Sequence, residues 1–217
     1  MNIIKPSIEI IDMDSYETIL KKIEKIGRVC YKSEGKITED SAEKFIRSLL
    51  ARRHESVIEH ESVTVRLVCD RGVSHEIVRH RIASYSQEST RYCNYAGEKF
   101  DSQITVIDLA SGFEYDFARE NDRAKYEVWR TTMEHAEKAY FRMLELGATP
   151  QEARSVLPNS LKTEIVMTMN LRSWRNFFRL RTDSHAHPQM QEVAGIVFRE
   201  FQEKLPVFVA DLEPAGC

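Results

Sequence analysis

Glycine is scarce in this chain, eight in 217 residues, and neither GxGxxG nor GxxxxGK[ST] occurs. Both backbone cradles for nucleotide phosphates need those glycines, so any phosphorylated ligand must be held by side chains. The four cysteines, Cys30, Cys69, Cys93 and Cys217, form no CxxC pair. That argues against a disulfide framework and a thiolate zinc site, and they read as reduced thiols. No apolar run approaches the length of a membrane span. The N-terminus, MNIIKPSIEIIDMD, lacks a basic start, an apolar core and a small-residue cleavage site, so no secretory signal is expected and the cytoplasm is the expected location. A net charge of −3 and a pI near 6.2 do not suit a protein that coats nucleic acid. Lysine is thin in the middle of the chain, where four lysines stand against fourteen arginines between Arg66 and Arg181.

The richest stretch is Arg79 to Tyr92, RHRIASYSQESTRY. It holds three arginines, a histidine, four serine or threonine hydroxyls, a glutamine and two tyrosines around Ile82 and Ala83, the two positions of buried type. Guanidinium forks match phosphate oxygens two at a time, and hydroxyls take the remaining acceptors. Glu88 is the one carboxylate among these arginines, so a salt-bridged surface does not account for them.

At this length, with 42% hydrophobic and 30% charged residues, a single domain with a real core is expected over 1–217. The pattern predicts a strand over 7–13, then a helix from about Asp14 with Leu20, Ile23, Ile26 and Cys30 inward. A second helix is capped by Asp40 and buries Phe45, Ile46, Leu49 and Leu50. After HESVIEHES a strand alternates through Val63, Val65, Leu67 and Cys69, and Ser74 caps a short helix leading into the arginine stretch, which leaves it near Ser84. QITVIDL is a weak strand. A long helix follows from Glu114 or Ala118 to Leu146, with Trp129, Met133, Ala136, Tyr140 and Met143 along one side and Gly147 at its end. Pro150 opens a short helix through Arg154, and IVMTMN is a strand ending at Asn170. From Ser173 a helix puts Trp174, Phe177 and Phe178 on one face and Arg172, Arg175, Asn176 and Arg179 on the other. Arg181 continues the apolar row, and an inward arginine needs an anion. A last helix spans Pro188 to about Lys204, burying Met190, Val193, Val197, Phe201 and Leu205.

Three chemistries can be weighed on these residues. His75, Glu76 and His80 form HExxxH rather than HExxH, and the extra residue turns the imidazoles apart on a helix, so no metal site is expected. Ser86, Ser89 and Cys93 have neither a Gly-x-Ser-x-Gly elbow nor a base beside them in the sequence, and the hydroxyls fit better as donors to a ligand. Anion binding by Arg79, Arg81, Arg91, Arg154, Arg172 and Arg181 is the third and favoured reading. Arg175 and Arg179 fit it equally with a solvated, salt-bridged face.

Arg79-His80-Arg81, Ser84, Ser89 and Arg91-Tyr92 reproduce RHRxxSxxxxSxRY, and the chain thereby resembles the flavin-dependent thymidylate synthases. IEH at Ile58 to His60, ARSVLP at Ala153 to Pro158, MNLRSWRNFFRLR at Met169 to Arg181 and DSHAHPQMQ at Asp183 to Gln191 are similar to further blocks of that family, in order. The resemblance implies an α/β (α+β) fold particular to the family, helices packed on a small sheet without a Rossmann motif. It implies reductive methylation of dUMP to dTMP, with methylenetetrahydrofolate as carbon donor, FAD as cofactor and NADPH as reductant. A homotetramer with sites between subunits is implied too.

By matching position, the resemblance assigns FAD to Ser62, Arg79, His80, Arg81, Gln87, Asn170, Arg172 and Asn176. It assigns dUMP to Glu76, Ile77, Val78, Arg79, Gln87, Glu88, Ser89, Thr90, Arg91, Arg154 and Arg181. His60 and His185 fall on the folate or flavin side. Arg181 has the catalytic role of facing the uracil ring and stabilising its ionised, electron-rich form. Gln87 stands where some members have glutamate, and Cys30 where serine is expected. Two rivals share the same arginines: a flavoprotein methylating another pyrimidine nucleotide, and a non-catalytic nucleotide- or RNA-binding protein using Arg79 to Tyr92.

Overall fold

The computed structural model describes residues 1–97 and 100–212; Cys217 lies outside them. The chain runs β1 (Asn2–Ile4), β2 (Ser7–Asp12), α1 (Tyr16–Tyr31), α2 (Ser41–Ala51), β3 (Ser62–Asp70), α3 (Arg71–Ile77), β4 (Ser84–Gln87) and β5 (Thr105–Ile107). It continues through α4 (Leu109–Gly112), α5 (Glu120–Glu145), α6 (Pro150–Ala153), β6 (Lys162–Asn170), α7 (Leu171–Arg181), α8 (Pro188–Lys204) and α9 (Pro206–Val209). Helices packed on small sheets make this an α+β fold, as expected.

The main sheet has the order β2-β3-β6-β4, with every neighbouring pair antiparallel. Its central strands alternate cleanly: Val63, Val65, Leu67 and Cys69 on β3, and Thr163, Ile165, Met167 and Met169 on β6, are all buried. Trp174, Phe177 and Phe178 of α7 and Met190, Val193, Val197 and Phe201 of α8 share that core. A parallel pair, β1 and β5, belongs to a second, smaller core with Tyr95, Met133, Tyr140 and Leu161.

Several local expectations change. In α1 the buried row is Ile19, Ile23 and Gly27, and Cys30 is exposed, because the helix approaches α2 so closely that a Cβ on Gly27 would lie 2.7 Å from the Phe45 ring. Asp40 precedes α2 but its side chain makes no capping bond, and Ser41 instead donates to the buried Glu24. Asp70, not Ser74, caps α3: its carboxylate accepts from the Val73 N–H at 2.6 Å, so the helix begins as soon as β3 ends. Helix α7 starts two residues before Ser173 because the Asn170 side chain caps it, accepting from the Ser173 N–H at 2.8 Å. The long helix begins at Glu120, and only Met133 and Tyr140 on it are fully buried. Thr149 and Glu152 form a reciprocal capping box at α6.

Candidate functional site

The arginine stretch does not form one wall. Helix α3 ends at Ile77, Arg79 to Ala83 make a turn, and Ser84 to Gln87 pair with β6 as an edge strand. That strand was not foreseen, since its polar SYSQ lacks an apolar alternation. The Tyr85 hydroxyl donates to the carbonyls of Ile77 (2.8 Å) and His80 (2.7 Å), clamping the turn onto the strand.

On one side of that turn lies a cleft of about 660 Å³, lined in large part by α7. Arg79, His80 and Arg81 line it together with Asn170, Arg172, Asn176 and Arg181, all named by the sequence. Glu55, Glu59, Ile82, Ser173 and Leu180 line it as well. Ile82, expected to be buried, is 76% exposed, because the turn leaves the core there. Glu55 and Glu59 come from a 3₁₀ turn, Glu55–His60, inside the acidic HESVIEHES segment, whose carboxylates were the available signal.

His80 is buried against the Phe177 ring, with centroids 5.0 Å apart. Its Nε2 accepts from the Arg181 Nε at 3.0 Å, which puts the ring proton on Nδ1. Burial, and secondarily the Arg181 charge, push its pKa down to about 4, so it is neutral at ordinary pH. Arg181 also donates to the Glu76 carboxylate at 2.8 Å and to the Glu76 carbonyl at 3.1 Å. The anion that an inward arginine requires is therefore Glu76. A guanidinium has five N–H donors, so Arg181 retains capacity toward the cleft while locked in orientation.

Arg175 is the correction on α7. It is 1% exposed rather than on the outer face, and it donates to Glu55, to both carboxylate oxygens of Asp211 and to the Phe208 carbonyl. Burial raises the Glu55 carboxyl, but Arg179 and Arg175 more than offset this and hold it below its usual value. Arg179 pairs with Glu55 at 2.8 Å and Arg172 with Glu59. By contrast, among the described residues Arg79 and Arg81 have no carboxylate partner, and the Asn170 NH₂ has none either. Those donors are left for a ligand.

The remaining predicted residues lie elsewhere. Strand β4 runs antiparallel to β6, with Ser84 opposite Thr168 at the cleft end and Gln87 opposite Ile165. Ser89, Thr90 and Arg91 follow in a tight turn in which Tyr92 and Cys93 donate to the Ser89 carbonyl, both at 3.0 Å. Arg154 reaches this turn at Thr90 (3.4 Å), and the Arg91 guanidinium lies over the Tyr92 ring. Glu88 starts from the Glu164 carbonyl on β6, and from Glu164 to Asn170 the strand covers roughly 20 Å. Within one chain the cleft and this basic turn are separate.

Some assignments meet a packed side chain. Ile77 is fully buried, so only its backbone is available to a ligand. Gln87 is turned under α3, donating to Ser74 (2.9 Å) and Thr163 (3.2 Å), away from the cleft. Glu88 is held by Lys162 and Tyr95. Ser62 is exposed on β3 opposite Asn170 in register, beside the cleft but not in its lining. Val78 is 39% exposed on the turn. His60 is exposed at the end of its turn, and the His185 side chain is 93% exposed, bonded to Asp183; neither lines the cleft. Lys162 escaped sequence reasoning, since nothing in its neighbourhood marks it.

Residues 13–207 match the family model described as "Thymidylate synthase complementing protein". The chain is similar to proteins named "Flavin-dependent thymidylate synthase" in three organisms. That of Pyrococcus furiosus is 33% identical over 170 residues, covering 78% of this chain and 66% of the relative. That of Geobacter sulfurreducens is 32% identical over 198 residues, covering 88% and 80%. That of Kosmotoga olearia is 35% identical over 184 residues, covering 83% and 80%. The match thus spans just under two thirds of the Pyrococcus protein's length.

Proposed function

The chain belongs to the family of flavin-dependent thymidylate synthases, and from that premise we propose that it converts dUMP to dTMP, with methylenetetrahydrofolate as carbon donor, FAD as cofactor and NADPH as reductant. The observation that carries the reading is the set of unpartnered donors in the α7 cleft. Arg79 and Arg81 offer guanidinium forks for a diphosphate, and the Asn170 NH₂ and Asn176 supply hydrogen bonds beside them. A volume of about 660 Å³ is in the range of cofactor pockets. These residues fit a bound flavin dinucleotide, which supplies the reducing equivalents.

Toward the nucleotide, Arg181 is the catalytic residue. Carbon transfer needs an electron-rich C5 on uracil, and a fixed cation beside N3 and its neighbouring carbonyl stabilises the ionised ring. A guanidinium does this while keeping its own proton. Glu76 and the neutral His80 hold it in one orientation, so no rearrangement is needed as charge develops. Arg91, Ser89 and Arg154 suit the phosphate. None of them lines the cleft, which favours a site completed by a second copy of the chain, in a homotetramer. A cytoplasmic location belongs to the same reading, and among the described residues no helix is long and apolar enough to cross a membrane. These three relatives are named as synthases, so a non-catalytic nucleotide- or RNA-binding role gains nothing from them.

The test is spectroscopic. The purified protein should be yellow or take up FAD, bleach under NADPH with dUMP in the absence of oxygen, and form dTMP once methylenetetrahydrofolate is added. A colourless protein that takes up no FAD overturns the proposal.

A further inference from the structure

Glu88 is the sole carboxylate between Arg79 and Arg91, and it opens the basic turn. Left bare, its charge would repel any phosphate drawn by Ser89, Arg91 and Arg154. It is not bare. The Lys162 ammonium, on the first residue of β6, donates to Glu88 at 3.0 Å and to Glu164 at 2.6 Å. The Tyr95 hydroxyl, from the second core, donates to the other Glu88 oxygen at 3.2 Å. The Lys162 and Glu88 side chains are 18% and 13% exposed, so the pair is sheltered from the water that weakens surface ion pairs. Burial alone would lower the Lys162 ammonium, but its bonds to Glu164 and Glu88 outweigh this and raise it. Tyr95 is raised, by burial first and by Glu88 next, so it stays a hydroxyl donor.

On the reading that this chain binds dUMP, we infer that Lys162 is a positioning residue for the nucleotide phosphate, acting through Glu88. It cancels the one negative charge of the turn and pins Glu88 to β6, while Tyr95 ties the same carboxylate to the second core. The turn carrying Ser89, Thr90 and Arg91 is thereby fixed to both cores from a single side chain, and among the described residues Arg91 and Arg154 are left as uncompensated cations. Glu88 changes from a proposed ligand contact to an anchor. Glu164 does not take the Lys162 charge for itself, because Arg66 reaches its other oxygen at 3.5 Å.

The experiment is a calorimetric titration of dUMP into the FAD-loaded protein, with turnover measured alongside. Lys162→Gln should weaken dUMP binding about tenfold or more, raising KM, with kcat at saturating dUMP and FAD affinity within about threefold. Lys162→Arg should restore binding, and the paired change Lys162→Gln with Glu88→Gln should recover most of it, since the bare carboxylate is gone. Unchanged dUMP binding in Lys162→Gln overturns the inference. So does equal loss of FAD and dUMP, a fall in kcat in place of the rise in KM, or a paired variant as weak as the single one. A wild-type protein that binds FAD but not dUMP removes the functional reading, and this inference with it; wild-type dUMP binding with an indifferent Lys162→Gln removes the inference alone.

Discussion

The α7 cleft and the Ser89–Arg91 turn are both basic, but they differ in how their arginines are supported. In the cleft most cations are locked by carboxylates of the same chain, Arg181 by Glu76, Arg172 by Glu59 and Arg179 by Glu55, while Arg175, outside the lining, is held by Glu55 and Asp211. At the turn, among the described residues, Arg91 and Arg154 have no carboxylate partner, and the one acid present is taken by Lys162. The cleft is therefore a preorganised wall in which orientation is set before a ligand arrives. The turn is a set of charges awaiting a counterion, and it is suited to steering an anion and holding it.

That contrast makes unequal demands on substitutions. Removing Arg181 has the largest expected effect: Arg181→Ala should retain bound FAD yet lower kcat for dTMP formation by about a thousandfold, and undiminished turnover would erase the division between the two regions. Arg175→Met leaves the Asp211 carboxylate and the Phe208 carbonyl without their guanidinium partner, while Arg179 still holds Glu55, and should cost about 1.5–3 kcal/mol of stability, read from denaturant unfolding. Arg154→Ala touches only the turn. It should raise KM for dUMP roughly tenfold to a hundredfold, with FAD affinity unchanged, because a charge-assisted contact contributes about 1.5–3 kcal/mol; a matching loss of FAD would mean that the regions are one.

A smaller effect is expected from pH. His80 binds protons more readily unfolded, near its ordinary value of 6.5, than folded, where its pKa is about 4. Its contribution to stability is thus fully present above pH 6.5 and is lost as pH falls toward 4. Stability curves of the wild type and His80→Asn should converge over that window; parallel curves would show that the imidazole is not held neutral beneath Arg181. Least of all, Cys93→Ala should leave turnover within about twofold, since its thiol lies past the turn and beside neither region's guanidinium lock.

Much of this was legible in the residues. The alternation of β3 predicted which of its side chains are buried, IVMTMN was legible as a strand ending at Asn170, and Pro188 to Lys204 appeared as a helix with its own bounds. The signature marked Arg79 to Arg81 and α7 as neighbours of a ligand, and the cleft brings these together. What escaped depended on partners distant in sequence. SYSQ is a strand only because β6 lies beside it, and Arg175 is inward only because Asp211 and Glu55 meet it there. That the Gln87 amide NH₂ would be taken up by Ser74 and Thr163 was likewise not legible.

By itself, then, the chain's order of residues determined the periodicities, the stock of side-chain phosphate forks in place of a glycine loop, and the family. Those are local properties, carried by spacing along a strand or helix. The tertiary structure alone decided that one continuous arginine stretch serves two separate regions. An edge strand between its halves sets them apart along β6, about 13 Å from Ser84 opposite Thr168 to Glu88 at Glu164, and pairing across the sheet, which no local pattern encodes, chose which arginines are locked and which remain free to bind.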